Sequence, residues 1–153
     1  MSDHKEITIL MATYNGEAYL KQQLDSILTQ TYTNWKLVIR DDGSTDGTLG
    51  IITSYIQKDE RVSLIRFGDL HGSACKNFSQ LAEWAVANDK GTVMFSDQDD
   101  IWAADKVAVS VSAMNQLQHE YGAHMPLLCY STFQLIDEQG VELPQKLGLP
   151  AQL

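Results

Sequence analysis

Short apolar runs of strand length alternate with longer stretches of helical period along almost the whole chain, and this alternation restricts the fold more than any other feature. Residues 7–11 (Ile-Thr-Ile-Leu-Met) read as a first strand, followed by a helix over 17–30 with Leu20, Leu24, Ile27 and Leu28 on one face. A second strand is expected over 36–40 and a helix over 46–57, with Leu49, Ile52 and Ile56 inward and Asp46 as its N-cap. A third strand over 62–67 precedes a helix over 73–87, with Ala74, Phe78, Leu81, Ala82 and Ala85 on one face. A fourth strand over 92–96 precedes a helix over 104–121 that lines up Val107, Val111, Met114 and Gln118. A fifth strand is expected over 127–133, then a hairpin over 135–141 in which Gly140 takes a positive φ. Strictly alternating strands and helices predict an α/β fold: a mostly parallel sheet with helices on both faces. No repeat or linker divides the sequence, so one domain is expected over 1–153, with its core over about 6–141.

In open parallel sheets, ligands bind outside the carboxyl ends of the strands. Three polar clusters fall at such ends. Thr13, Tyr14, Asn15 and Gly16 follow the first strand, Asp41 to Gly47 follow the second, and Asp97, Gln98, Asp99 and Asp100 follow the fourth. Crowded carboxylates raise one another's pKa unless a cation relieves them. A hard cation, Mg²⁺ or Mn²⁺, suits such oxygen donors and leaves sites for substrate phosphate. The competing reading of Asp97 to Asp100 is a solvated loop that caps the next helix through Asp100 or Asp105.

Turn and cap chemistry accounts for Gly43, Ser44 and Asp46 but does not require two adjacent carboxylates, Asp41 and Asp42. A carboxylate there can accept from a base N–H or a ribose hydroxyl. Tyr14 is either core or an aromatic plate for a nucleobase. The segment from Gly72 to Asn77 opens a helix whose N–H groups suit a phosphate, with Lys76 adding charge; otherwise Gly72 simply starts the helix and Lys76 is a solvated residue.

Composition and motif content remove other classes. Twenty Asp and Glu against eleven Lys and Arg give a formal net charge of −9. That balance argues against general nucleic-acid binding, which needs a basic surface, and suits local enrichment of divalent cations. Cys75 and Cys129 are too few for a disulfide framework, and no Cys/His spacing suggests zinc. Cys75 lacks the His/Asn context of a nucleophile. The four histidines are scattered, and phosphate-loop, dinucleotide and nucleophile-elbow motifs are absent. Trp35, Trp84 and Trp102 read as packing residues. The polar start is unlike a signal peptide, and no apolar run approaches the roughly 20 residues of a membrane span. A cytoplasmic protein is expected, with peripheral association at the inner face of the membrane open to it.

Four motifs in order carry a resemblance: ITILMATYNG at 7–16, LDSILTQTY at 24–32, LVIRDDGSTDGT at 37–48 and VMFSDQDDIW at 93–102. Together they resemble the N-terminal half of family 2 glycosyltransferases of GT-A fold, and the last motif is most similar to bacterial rhamnosyltransferase-like members. The resemblance implies transfer of a sugar from a nucleotide-diphosphate donor (UDP-, dTDP- or GDP-sugar), with inversion, to a bacterial polysaccharide or glycolipid acceptor. It implies that Thr13 and Tyr14 line the nucleotide pocket, with Tyr14 against the base. Asp42 would contact base or ribose, with Asp41 beside it. Lys76 stands where the family often has Arg and would help bind the nucleotide or its diphosphate. Asp97-Gln98-Asp99 matches the family's D-x-D motif. There Asp99 would bind Mn²⁺ or Mg²⁺, and Asp97 the ribose or the metal's water shell.

The resemblance also implies that the chain stops after the donor-binding half. The general base that deprotonates the acceptor is then expected beyond residue 153, and no catalytic residue is assigned within it. Two alternatives stand beside the enzyme reading. One is a non-catalytic nucleotide-sugar-binding module. The other is a response-regulator-like receiver, which the residues after the first, third and fifth expected strands do not favour.

Overall fold

The structure is a computed structural model, and it describes residues 5–66, 72–122, 124–137 and 140–144. The described elements are β1 (Ile7–Thr13), α1 (Leu20–Leu28), β2 (Trp35–Asp41), α2 (Thr48–Lys58), β3 (Val62–Ile65), α3 (Ala74–Ala87), β4 (Val93–Ser96) and α4 (Lys106–Tyr121). The four strands form one parallel sheet in the order β3-β2-β1-β4. β1 is central and buried along its whole length, which is why its sequence is an almost unbroken apolar run.

Register explains the two faces of the sheet. Leu10 pairs with Val38 and with Phe95, so these side chains share a face. There Leu10, Ala12 and Val38 pack with Leu81 and Ala85 of α3, and Phe78 meets Phe95 edge-on at 5.7 Å between ring centres. Met11 pairs with Ser96 one step along, on the opposite face, and Ser96 bonds Gln23 of α1. Helices therefore lie against both faces, as the alternation predicts.

Several boundaries move for identifiable reasons. α1 starts at Leu20 and not at Glu17, because the N–H groups of Asn15, Gly16 and Glu17 bond side chains of the β2–α2 loop. α2 starts at Thr48 with Gly47, not Asp46, at the N-cap position; the Asp46 carboxylate, one residue earlier, accepts from the Thr48 N–H at 3.0 Å. Ser73 caps α3, its hydroxyl accepting from the Lys76 N–H. Phe67, placed in the third strand by its sequence, lies outside the described residues.

The expected fifth strand is not formed. Residues 127–133 pair with no strand, and Leu128, Tyr130 and Phe133 are exposed. An apolar run becomes a strand only when a neighbouring strand takes its N–H and C=O groups in a ladder, and no strand among the described residues pairs with it. The expected turn over 135–141 is present as a bridge between Ile136 and Glu142, with Gly140 at φ +77°.

By internal packing the chain divides into two compact units, Met1–Val109 and Ser110–Leu153. The first holds the sheet. The second holds most of α4 and the Ile136–Glu142 bridge. Along α4 only Val107 is fully buried, so the line through Val111 and Met114 is less sheltered than its spacing predicts.

Candidate functional site

β2 and β3 lie on one side of β1, and β4 lies on the other. The chain reverses its winding direction between β1 and β4, and the carboxyl ends of such strands form the crevice where α/β sheets take ligands. All three polar clusters meet there.

Beyond β1, the Tyr14 peptide is held at both ends by one side chain. Its N–H donates to Gln98 Oε1 at 2.9 Å, and Gln98 Nε2 donates back to its carbonyl at 3.0 Å. The Tyr14 side chain is half exposed, so it is not a core residue and presents its ring to solvent. Gly16 sits against the same amide: a Cβ at this position would overlap Gln98.

The carboxylates after β2 are occupied by their own chain. Asp41 accepts from Thr13 Oγ1 at 2.9 Å, from the Ser44 hydroxyl, and from the N–H groups of Gly43 and Ser44. Asp42 is buried; one oxygen faces Arg40 Nη1 at 3.2 Å and the other accepts from the Gly72 N–H at 2.9 Å. Arg40 is itself buried and also donates to Asn77 Oδ1 at 2.7 Å. Thr13, Asp41 and Asp42 therefore shape the crevice floor and tie it to the start of α3. Lys76, on the first turn of α3, is exposed, with its stem lying over Gly72.

Five bonds from main-chain N–H groups to side chains fasten the β1–α1 loop to the β2–α2 loop and the first residue of α2, beside one from the Thr45 hydroxyl to Asn15 Oδ1. The N–H groups of Asn15, Gly16 and Glu17 donate to Ser44 Oγ, Thr48 Oγ1 and Asp46 Oδ2. In return, the Thr45 N–H donates to Asn15 Oδ1 and the Gly47 N–H to Glu17 Oε2. Asn15 adopts φ 47°, a left-handed conformation that Asn tolerates better than most residues. The hydrogen bond from Thr48 holds the Asp46 carboxyl below its ordinary pKa.

The segment after β4 hangs from α1 by buried polar side chains. Gln23 accepts from Ser96 Oγ at 2.7 Å and from Trp102 Nε1 at 3.2 Å, while its nitrogen faces Ser26 Oγ and the Asp100 carbonyl. Ser26 Oγ accepts from the Trp102 N–H. Gln30 donates to the Ala103 carbonyl at 2.7 Å and accepts from the Val107 N–H at 3.0 Å. Sequence reasoning missed these three residues. The available signal was their spacing of three and four beside Leu20, Leu24 and Ile27, a polar stripe adjoining an apolar one.

Asp97, Asp99 and Asp100 are exposed, and no hydrogen bond or ion pair among the described residues engages their carboxylates. Partial burial, then repulsion from Asp100 and Asp99, pushes the Asp97 carboxyl above its ordinary pKa. Among the described residues, no group of three His, Cys, Asp or Glu is gathered to hold a metal by protein atoms alone. A hollow lined by Ser112, Asn115, Gln116, His119 and Glu120 runs along α4 and includes none of these residues. Trp35 and Trp102 are packing residues, as expected; Trp35 carries the Arg61 guanidinium 3.8 Å above its ring. Both cysteines are unpaired thiols.

The sequence model described as glycosyl transferase family 2 matches residues 8–125, the span from β1 to just past α4. The chain belongs to glycosyl transferase family 2. It is 35% identical over 105 residues to a dTDP-rhamnosyl transferase, RfbG of Shigella flexneri, covering 68% of this chain and 36% of that protein. This relative is in keeping with the rhamnosyltransferase-like wording after β4. The fold matches S. aureus TarS in complex with UDP-GlcNAc at a TM-score of 0.63, with 24% identity, over 72% of this chain and 31% of that one. It also matches the mannosyltransferase PcManGT from Pyrobaculum calidifontis in complex with GDP-Man and Mn²⁺, at a TM-score of 0.54 and 25% identity, over 69% of this chain and 31% of that one. The sheet is thus that of the GT-A fold. The chain spans about a third of the length of the Shigella flexneri relative and of each of the two fold neighbours.

Proposed function

We propose that this chain is the donor-binding part of a metal-dependent, inverting glycosyltransferase that uses a nucleotide-diphosphate sugar for a bacterial polysaccharide or glycolipid acceptor. The observation that carries the reading is the meeting of the Tyr14 peptide and the acidic loop at the reversal point of the sheet, joined through Gln98. The exposed Tyr14 ring offers a face for the base, and such stacking is worth roughly 1–3 kcal/mol. Lys76 and the capped start of α3 suit the diphosphate. Thr13, Asp41, Asp42 and Gln98 set the shape of the pocket through the bonds described above.

The donor set at Asp97 and Asp99 fits a divalent cation. Their carboxylates are hard oxygens without a cationic partner among the described residues, and Asp97 is disfavoured as an anion until one arrives. Mn²⁺ or Mg²⁺ held there would stabilise charge on the departing nucleoside diphosphate. Two carboxylates leave coordination sites for diphosphate oxygens. The resolved fold neighbour with GDP-Man and Mn²⁺ supports the cation class but not the choice between Mn²⁺ and Mg²⁺. The relative named above is a dTDP-rhamnosyl transferase and the two fold neighbours hold UDP-GlcNAc and GDP-Man, so the base is left to experiment. No general base is assigned to these residues. No helix among the described residues is long and apolar enough to cross a membrane, and we place the protein at the cytoplasmic face, where a lipid-borne acceptor is reached peripherally.

Calorimetric titration with UDP, dTDP and GDP, each with and without Mn²⁺, tests the reading. Metal-dependent binding of one nucleotide supports it. Absence of binding by the folded chain removes it.

A further inference from the structure

We propose that Gln98 is a positioning residue: its amide locks the Tyr14 peptide to the acidic loop, so that base and diphosphate meet subsites already held at the correct span. The proposal rests on the reading of Tyr14, Asp97 and Asp99 given above.

Tyr14 lies just past the last paired residue of β1, so no strand neighbour takes its N–H and carbonyl. Gln98 takes both, from 84 residues away. A primary amide suits this: it offers one acceptor and one donor side by side, which neither an ionised carboxylate nor an aliphatic side chain provides. Asp97 and Asp99 flank Gln98, so their placement follows from where its amide is anchored.

Gly16 supplies an independent observation. Its φ is not left-handed, so backbone conformation does not demand glycine. Close approach favours it, because a Cβ would overlap the Gln98 oxygen and amide carbon and push that amide off the Tyr14 peptide. The chain therefore lacks a side chain at the one place where the amide must lie.

A ligand with two recognition ends gains affinity when its two subsites are fixed relative to each other, because less ordering remains at binding. Loosening the span should weaken the joined ligand and spare its parts.

The test compares wild type with Gln98→Leu, Gly16→Ala and the double variant, using three classes of probe: Mn²⁺ alone, the nucleosides uridine, thymidine and guanosine alone, and UDP, dTDP and GDP with Mn²⁺. Thermal unfolding establishes that each variant is folded, and hydrogen exchange at the Tyr14 N–H reports the clamp directly. Each single variant should bind the preferred nucleoside diphosphate with Mn²⁺ about tenfold more weakly. Mn²⁺ alone and the matching nucleoside alone should change by less than about twofold. The double variant should be no weaker than either single, because both act on one device. Tyr14 N–H exchange should accelerate in all three.

Unchanged nucleoside diphosphate affinity in Gln98→Leu overturns the proposal. So does a nucleoside or Mn²⁺ loss as large as that of the joined ligand, since Gln98 would then support one subsite only. Failure of wild type to bind any of the three nucleotides overturns the donor-site reading first, and this inference with it.

Discussion

Arg40 and Asp42, two residues apart where β2 leaves the sheet, form a buried ion pair with 3.2 Å between Nη1 and Oδ1. Their side chains are 1% and 7% exposed, so water screens neither charge. Removing the Asp42 carboxylate takes the counter-charge from a buried guanidinium and the acceptor from the Gly72 N–H, and loss of one member of a buried pair costs about 3–5 kcal/mol. Asp42→Ala should therefore lower stability by about that amount in denaturant unfolding, and Arg40→Met with Asp42→Leu should lower it by less. A loss of under about 1 kcal/mol for Asp42→Ala would show that Asn77 and solvent satisfy Arg40 unaided.

Gln23 stands between α1 and the loop that carries the acidic residues. Gln23→Leu keeps the bulk but strands the Nε1 of buried Trp102 and takes the donor from the carbonyl of exposed Asp100. Each buried group left without a partner costs about 1–3 kcal/mol. Urea unfolding should register a loss in that range, and Asp100 and Trp102 amide exchange should quicken. Unchanged exchange would mean that Ser26 and Gln30 hold the loop without it.

The Asp59 carboxylate is gripped by the Arg61 guanidinium, with 2.7 Å between Nη2 and Oδ2, and this bond holds its pKa below the ordinary value against a smaller opposing effect of burial. A carboxyl whose folded pKa is depressed stabilises the fold above its unfolded pKa and loses that contribution as pH falls through the folded value. Asp59→Asn should thus cost about 1 kcal/mol at pH 7 and progressively less below about pH 4. Unfolding free energies across pH 2–7 check this, and a parallel offset at all pH values would rule out the ionic contribution.

Asp99→Asn should abolish most of the Mn²⁺-dependent gain in nucleotide affinity while leaving the unfolding midpoint unchanged, because its carboxylate bonds nothing among the described residues. Tyr14→Ala should weaken the same nucleotide by roughly 1–3 kcal/mol, with or without metal. Titration calorimetry separates the two. Equal metal dependence in Asp99→Asn and wild type would remove Asp99 from the metal site.

Strand and helix types were readable wherever burial dictates residue type, as at Ile9, Leu10 and Met11 or along Leu20, Leu24 and Ile27. The convergence of the three polar clusters was readable too, because strand order puts their ends together. Residues 127–133 were not, since an apolar run does not reveal whether a neighbouring strand will accept it. Asp42 reads as a ligand-facing carboxylate, yet its partners Arg40 and Gly72 come from its own strand and from the start of α3. A sequence shows the polar group but not which competing partner reaches it first. Gln98 illustrates the same point, since the middle residue of an acidic motif turns its amide away from the carboxylates beside it and onto Tyr14.

The five bonds between the β1–α1 and β2–α2 loops run from side chains of each loop to main-chain N–H groups of the other. Each loop has bonds of its own, but the N–H groups of Asn15, Gly16, Glu17, Thr45 and Gly47 are taken by side chains of the other. In a chimera built from two family members, moving the segment around Asn15 without the segment around Ser44 to Thr48 would leave donors facing the wrong acceptors. The two loops are one transplantable unit, although the residues they join stand about thirty positions apart in the chain.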